Sequence, residues 1–250
     1  VPVNRGTPAL LAAAVAAAQT LGGPEVRGFL AGDIGRGDGS RRLYGFLEKR
    51  LPTLDADVLT FHYLQPDVDW HNKVLFAVDA MKKRPVLIAD AGFMYAAKMS
   101  GQAGRYDVFT PDVGELSFLA DEMAPHPFYT RGFILHQNNN VPDLIRLARR
   151  HQNAAACLLV KGKADHVADE NQILATIDRP SFEAMEAIGG TGDTLTGILS
   201  ALCAAGFPPA EAAILAAKAN RVAGRFVDLT PETQIMELID AIPRALAEVI

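Results

Sequence analysis

An α/β domain with a mainly parallel central sheet and an antiparallel edge hairpin is the fold this sequence predicts. Short apolar runs rich in β-branched residues alternate with helical patterns, as in a chain of βαβ units. The last two such runs are joined by a tight polar turn, and 250 residues with a hydrophobic fraction of 49% are enough to fill a sizeable core. Two full domains would be cramped, so residues 1–250 read as a single domain.

Taken in order, the first element is Ala9 to Ala18, an apolar run after Arg5. In outline it resembles the hydrophobic stretch of a secretion signal, but it is too short to span a bilayer. Thr7-Pro8 ahead of it reads as an N-cap with proline at the first helical position, which favours an Ala-rich buried helix. The sequence begins with Val1 rather than Met, which leaves room for an upstream first strand. Val26 to Ala31, Val58 to Phe61, Val86 to Ala89, Tyr106 to Thr110 and Cys157 to Lys161 then read as strands, each followed by loop signals and usually a helix. His166 to Ala168 and Ile173 to Ile177 flank Asp169-Glu170-Asn171, a hairpin turn that places an antiparallel edge on the sheet. From Asp193 the pattern is helical, with Leu195, Ile198, Leu199 and Leu202 on one face, Gly206 as a stop and Pro208 just beyond. Two further helices are expected over Pro209 to Val227 and Pro231 to Ile250, the second started by Thr230 and perturbed at Pro243.

Composition removes several function classes. A formal charge of −5 and the shortness of the basic runs Arg41-Arg42, Lys82-Lys83-Arg84 and Arg149-Arg150 argue against a nucleic-acid surface. Cys157 and Cys203 each sit in an apolar stretch and read as buried free thiols, which suits a reducing cytoplasm. His62, His71, His126, His136, His151 and His166 show no metal-ligand pairing such as His-Glu-x-x-His, so no protein-bound zinc is assigned. Nothing indicates stable membrane attachment.

Three short segments carry the chemistry. Gly189-Gly190-Thr191-Gly192-Asp193 leads straight into an amphipathic helix. Glycines let the backbone approach a bulky anion, and the helix start adds unpaired N–H groups and a partial positive charge, which suits a nucleotide's phosphates. Asp193 then stands where a carboxylate faces the acceptor, although a plain glycine turn with Asp193 complementing the helix dipole explains the stretch equally well. Thr110-Pro111-Asp112-Val113-Gly114-Glu115 ends a strand, where open α/β sheets bind ligands, but Asp112 and Glu115 also have the spacing of a capping box. The strand Leu158-Leu159-Val160 ends in Lys161-Gly162, a cation at a strand tip within reach of a phosphate.

In this order and setting the three segments resemble the ribokinase-like superfamily, a three-layer α/β/α sandwich, and most closely its ATP- or ADP-dependent NAD(P)H-hydrate dehydratases. The resemblance runs from about Val86 to Val227. It rests on Thr110, Pro111, Gly114 and Glu115, on Lys161 and Gly162, and on Gly190, Thr191, Gly192, Asp193, Leu195, Gly197 and Ile198, with Gly206 to Ala213 matching the segment after that helix. By resemblance Asp193 is the base, Gly190 to Gly192 the anion hole, Glu115 an organiser of magnesium through water, and Thr110 and Lys161 neighbours of ATP or ADP. A homo-oligomer is also implied.

The departures from the family pattern fall in the acceptor half. Where such dehydratases carry a Gly-Pro-Gly-Leu-Gly-like loop, this chain has His62-Tyr63-Leu64-Gln65-Pro66-Asp67. The following strand ends Ala89-Asp90-Ala91-Gly92 rather than Asp-Ala-Asp. Asp33, in the glycine-rich loop Gly32 to Ser40, is a further acceptor-side candidate beside His62 and Asp90, although an exposed turn explains that loop equally well and a packed or capping role is the better reading of His62. Phe128, Tyr129 and Phe133 are candidates for a lid or an oligomer contact. The expected substrate is a small molecule, hydrated NADH or NADPH, with a sugar or vitamin-precursor alcohol for a kinase as the alternative. A non-catalytic nucleotide sensor is the reading from a different class.

Overall fold

The computed structural model describes residues 2–124 and 140–250. Phe128, Tyr129, Phe133, His126 and His136 lie outside the described residues. Among the described residues the chain runs α1 (Thr7–Thr20), α2 (Asp38–Arg50), β1 (Val58–Phe61), α3 (Val68–Asp79), β2 (Val86–Ala89), α4 (Gly92–Met99), β3 (Val108–Phe109) and α5 (Val113–Ala120). It continues with α6 (Val141–Arg150), β4 (Cys157–Val160), β5 (Asp165–Ala168), β6 (Ile173–Ile177), α7 (Ala184–Ala187), α8 (Thr191–Ala204), α9 (Pro209–Arg225) and α10 (Ile235–Val249).

The six strands form one sheet in the order β1-β2-β3-β4-β5-β6. Pairing is parallel from β1 through β4 and antiparallel between β5 and β6, so the α/β class and the antiparallel edge are as expected. The parallel strands are short apolar runs, Val-Leu-Ile-Ala in β2 and a wholly buried Cys-Leu-Leu-Val in β4, because helical crossovers cover both faces of such strands. The edge hairpin turns where the Asp169 side chain accepts the N–H groups of Asn171 and Gln172, an Asx-type turn.

The chain divides into two compact units, one of Val1–Arg27 with Leu159–Ile250 and the other of Gly28–Leu158. In the first, α8 buries Leu195, Ile198, Leu199 and Leu202 as its sequence pattern requires. It ends in a Schellman turn: Gly206, at φ 97°, donates to Cys203 O and Phe207 to Leu202 O. Cys157 and Cys203 are both buried and are not joined in a disulfide. In the second unit, Phe61, Phe93 and Tyr106 form the aromatic centre, and the buried His71 imidazole bridges Tyr106 Oη at 2.7 Å and Ser100 Oγ at 2.9 Å. Burial, with a smaller contribution from the Arg105 charge, pushes this imidazole down to about 4.

Four expectations need correction. Val26 to Ala31 is not a strand: the segment makes no ladder, and Phe29 and Leu30 are exposed, Phe29 resting on Phe46 of α2 instead. The strand expected over Tyr106 to Thr110 is only Val108–Phe109, because a short 3-10 turn over Ala103–Arg105 leads into it and the Asp112 cap follows at once. The N-cap of α1 is Gly6, not Thr7. Finally α10 begins at Ile235, four residues later than expected, because Gln234 and Glu237 form its capping box while Thr230 pairs with Thr233 in the turn before it.

Candidate functional site

In the first unit the candidate site residues gather around the start of α8. Gly190 is the N-cap in a left-handed conformation, φ 106°, that suits glycine. A Cβ there would also lie 2.9 Å from Ile235 Cγ1 and 3.2 Å from Arg5 Cα, so the protein itself demands glycine. Gly192 differs: the nearest atoms a Cβ would meet belong to the Lys161 side chain, at 3.4 Å from Cδ and 3.6 Å from Nζ, an ordinary contact. The same figures place the Lys161 ammonium beside the first turn of α8, where backbone N–H groups have no partner within the helix. Asp193 lies in that turn, 9% exposed, and its Oδ2 accepts the Gly6 N–H at 2.6 Å. Thr191 turns its hydroxyl back toward the Met185 and Ile188 carbonyls.

Two consecutive residues of α9 brace these loops, and sequence reasoning missed both. Asn220 donates to Thr191 O at 3.0 Å and accepts the Thr194 hydroxyl at 2.7 Å, clamping the first turn of α8. Arg221, 7% exposed, pairs with Asp165 at 2.7 Å and donates to the carbonyls of Gly162 and Lys163 at 2.9 and 3.1 Å. Asp165 in turn accepts the Gly162 N–H, so the strand tip carrying Lys161 is tied down at several points. Burial raises the Asp165 carboxyl above its ordinary range, and the Arg221 guanidinium offsets part of that rise. Neither brace leaves a local trace in the sequence, because the partners lie between 26 and 59 residues away.

The second unit presents the tips of three parallel strands. Past β1, His62 is buried with Nε2 4.0 Å from Asp90 Oδ2, and Tyr63, at φ 51°, is exposed. Past β2, Asp90 is 1% exposed, its Oδ1 accepts the Ala91 N–H at 2.8 Å, and Ala91 has φ 50°. Left-handed or strained backbone at a residue with a side chain collects at functional sites, and here two instances stand at neighbouring strand tips. A Cβ on Gly92 would collide with the Leu64 carbonyl, so this glycine seats the His62–Asp67 loop. Past β3, Thr110 is fully buried and donates its N–H to Ala89 O at 3.2 Å.

Asp112 and Glu115 form the capping box their spacing suggests, and the Tyr95 hydroxyl adds a 3.4 Å hydrogen bond to Glu115. Asp33 is exposed and accepts four backbone N–H groups, from Arg36, Gly37, Gly39 and Ser40. Desolvation works against its charge, but those four donors together hold its carboxyl below the usual range. It thus organises the turn into α2, which starts from Gly37.

Strand order, antiparallel edge and a glycine-led helix with an acid in its first turn define an α/β protein of the ribokinase-like class. In agreement, a ribokinase-like superfamily protein from Enterococcus faecalis has the same fold at a TM-score of 0.60, with 17% identity over 97% of this chain and 84% of its own. The chain belongs to the family described as NAD(P)H-hydrate dehydratase, whose model matches residues 64–244. It is 43% identical over 223 residues to the uncharacterized protein MJ1337 of Methanocaldococcus jannaschii, covering 89% of this chain and 91% of that one. It is 33% identical over 135 residues to the ADP-dependent (S)-NAD(P)H-hydrate dehydratase of Cenarchaeum symbiosum, covering 54% of this chain and 42% of that protein. Among the described residues no helix is long and apolar enough to cross a membrane.

Proposed function

We propose that this chain is a nucleotide-dependent NAD(P)H-hydrate dehydratase working in the cytoplasm as a homo-oligomer. The observation that carries the reading is the start of α8, where Gly192 and Asp193 share one turn of helix and the Lys161 side chain lies beside it. Neither backbone conformation nor crowding requires glycine at 192, and the close approach of a ligand is the remaining reason for it. The first-turn amides and the Lys161 ammonium are the donors for the phosphates of ATP or ADP. A relative named as ADP-dependent supports the diphosphate in particular.

Phosphoryl transfer passes through a loose transition state, so the protein's task is to place a hydroxyl in line and to neutralise charge. Asp193 orients the hydroxyl of the hydrated nicotinamide ring and takes its proton as that oxygen bonds to the terminal phosphorus and the bridging bond to the nucleotide breaks. The ring nitrogen's electron pair then expels the new phosphate ester as inorganic phosphate, and the neighbouring carbon loses a proton to restore the reduced ring. In this reading Gly189, Gly190, Thr191 and Gly162 shape the phosphate loop, Thr110 and Glu115 serve the nucleotide, and His62 and Asp90 serve the acceptor, while Asp33 holds its own loop.

Magnesium would neutralise charge on the phosphates. The Glu115 carboxylate already accepts the Asp112 N–H and the Tyr95 hydroxyl, which suits an outer-sphere hold through water rather than direct ligation.

Incubation with ATP or ADP, magnesium and hydrated NADH is expected to restore the absorbance of the reduced cofactor. No recovery with either nucleotide rejects the dehydratase, and a stable phosphorylated alcohol as product replaces it with a kinase.

A further inference from the structure

The N-terminal helix reaches Asp193 from outside the matched span, residues 64–244. Its N-cap, Gly6, donates to Asp193 across 187 residues of sequence. One turn further along, contact recurs: a Cβ on Gly197, four residues after Asp193, would collide with the carbonyl of Leu10, four residues after Gly6, and lie 3.0 Å from Ala13 Cβ. Because the contact advances by one turn in the same direction on both helices, α1 runs parallel to α8. Glycine at 197 is what lets the two backbones approach so closely.

Parallel helices with matched starts bring their positive ends together, and the group lying between those ends is the Asp193 carboxylate. Gly6 has no side chain with which to cap α1, and its N–H donates to Asp193 Oδ2. Gly6 adopts φ 70° and ψ −151°, a region in effect restricted to glycine, so the position of this amide is built into the backbone.

We propose that α1 is a positioning element for the catalytic base: the Gly6 amide and the α1 N-terminus hold Asp193 so that its carboxylate meets the acceptor hydroxyl in one fixed orientation. The proposal rests on the reading of Asp193 as base. Gly6 touches no reacting atom and acts through Asp193 alone.

The test uses the full chain. Gly6→Ala is expected to lower kcat about tenfold to a hundredfold, the scale of a small misplacement of a reacting group, with KM for nucleotide and hydrate little changed. In an Asp193→Ala background Gly6→Ala is expected to leave the residual rate unaltered, because the two act as a unit. In isotope-labelled protein the Gly6 amide proton is expected far downfield, moving upfield in Asp193→Ala. Gly197→Ala, which must push α1 off α8, approaches from the other end and is expected to lower kcat in the same way.

Wild-type kcat in folded Gly6→Ala and Gly197→Ala overturns the proposal, as does an equal loss in the Asp193→Ala background. If wild-type protein shows no turnover while the Gly6 proton shift persists, the dehydratase reading falls and takes the catalytic role of α1 with it, leaving only a helix cap.

Discussion

Asp193 and Asp33 are both carboxylates that accept backbone amides near a glycine-rich turn, yet they are held in opposite ways. Asp33 is exposed and receives four N–H groups from the seven residues that follow it, so it serves its own loop. Asp193 is buried and receives an amide from the far end of the sequence, while the turn that carries it is braced by Asn220. Buried long-range support of this kind fixes a functional group in place, whereas local hydrogen bonds fix the loop around it. The lesson is to look for chemistry where the supporting groups are distinct from the groups that would meet a ligand.

The largest effect should come from removing the support at the Lys161 strand tip. Arg221→Ala leaves the Asp165 carboxylate buried without its partner, a change expected to cost about 3–5 kcal/mol in a chemical-denaturation measurement. If stability is unchanged, the pair is not a brace, and the contrast with the locally held Asp33 loop weakens.

A pH titration of stability sharpens the same comparison inside the second unit, where His71 is buried between two hydroxyls. Its folded value of about 4 lies below the unfolded one, so the unfolded chain binds the extra proton. The contribution is therefore fully present above the unfolded value of about 6.5 and is lost as pH falls toward 4, by up to about 3 kcal/mol. Denaturation curves from pH 7 to 4.5 should show that slope, and His71→Asn should flatten it.

The smallest effect on function is expected at Asp33. Asp33→Asn should speed hydrogen exchange at the amides of Arg36, Gly37, Gly39 and Ser40 and leave turnover within about twofold, as for a surface change away from the chemistry. A tenfold loss of turnover with the loop intact would instead make Asp33 an acceptor-side residue.

What could be read from the sequence follows the range of the interactions involved. Val86–Ala89 and Cys157–Val160 were legible because a strand covered on both faces must be a continuous apolar run. The Asp112–Glu115 box and the Gly206 stop were legible because each closes within a few residues. Val26–Ala31 carries the composition of a strand but finds no ladder, since strand formation depends on partners that local pattern does not encode. Gly6, Asn220 and Arg221 were illegible for the same reason: Thr7 looks like a better cap than Gly6 until the fold brings Asp193 to it. The departures at His62 and Asp90 were visible as unusual residues. Their form, a buried pair beside left-handed Tyr63 and Ala91, was not.

On the proposed reading one turn of α8 divides the labour: its amides, with Lys161 beside them, hold the nucleotide while Asp193 moves the proton. The most direct measurement is Asp193→Asn, with ADP affinity determined beside turnover of hydrated NADH. Turnover is expected to fall about a thousandfold, within the range for loss of a positioned base, with ADP affinity unchanged. Turnover near wild type, or affinity lost in step with turnover, would contradict that reading.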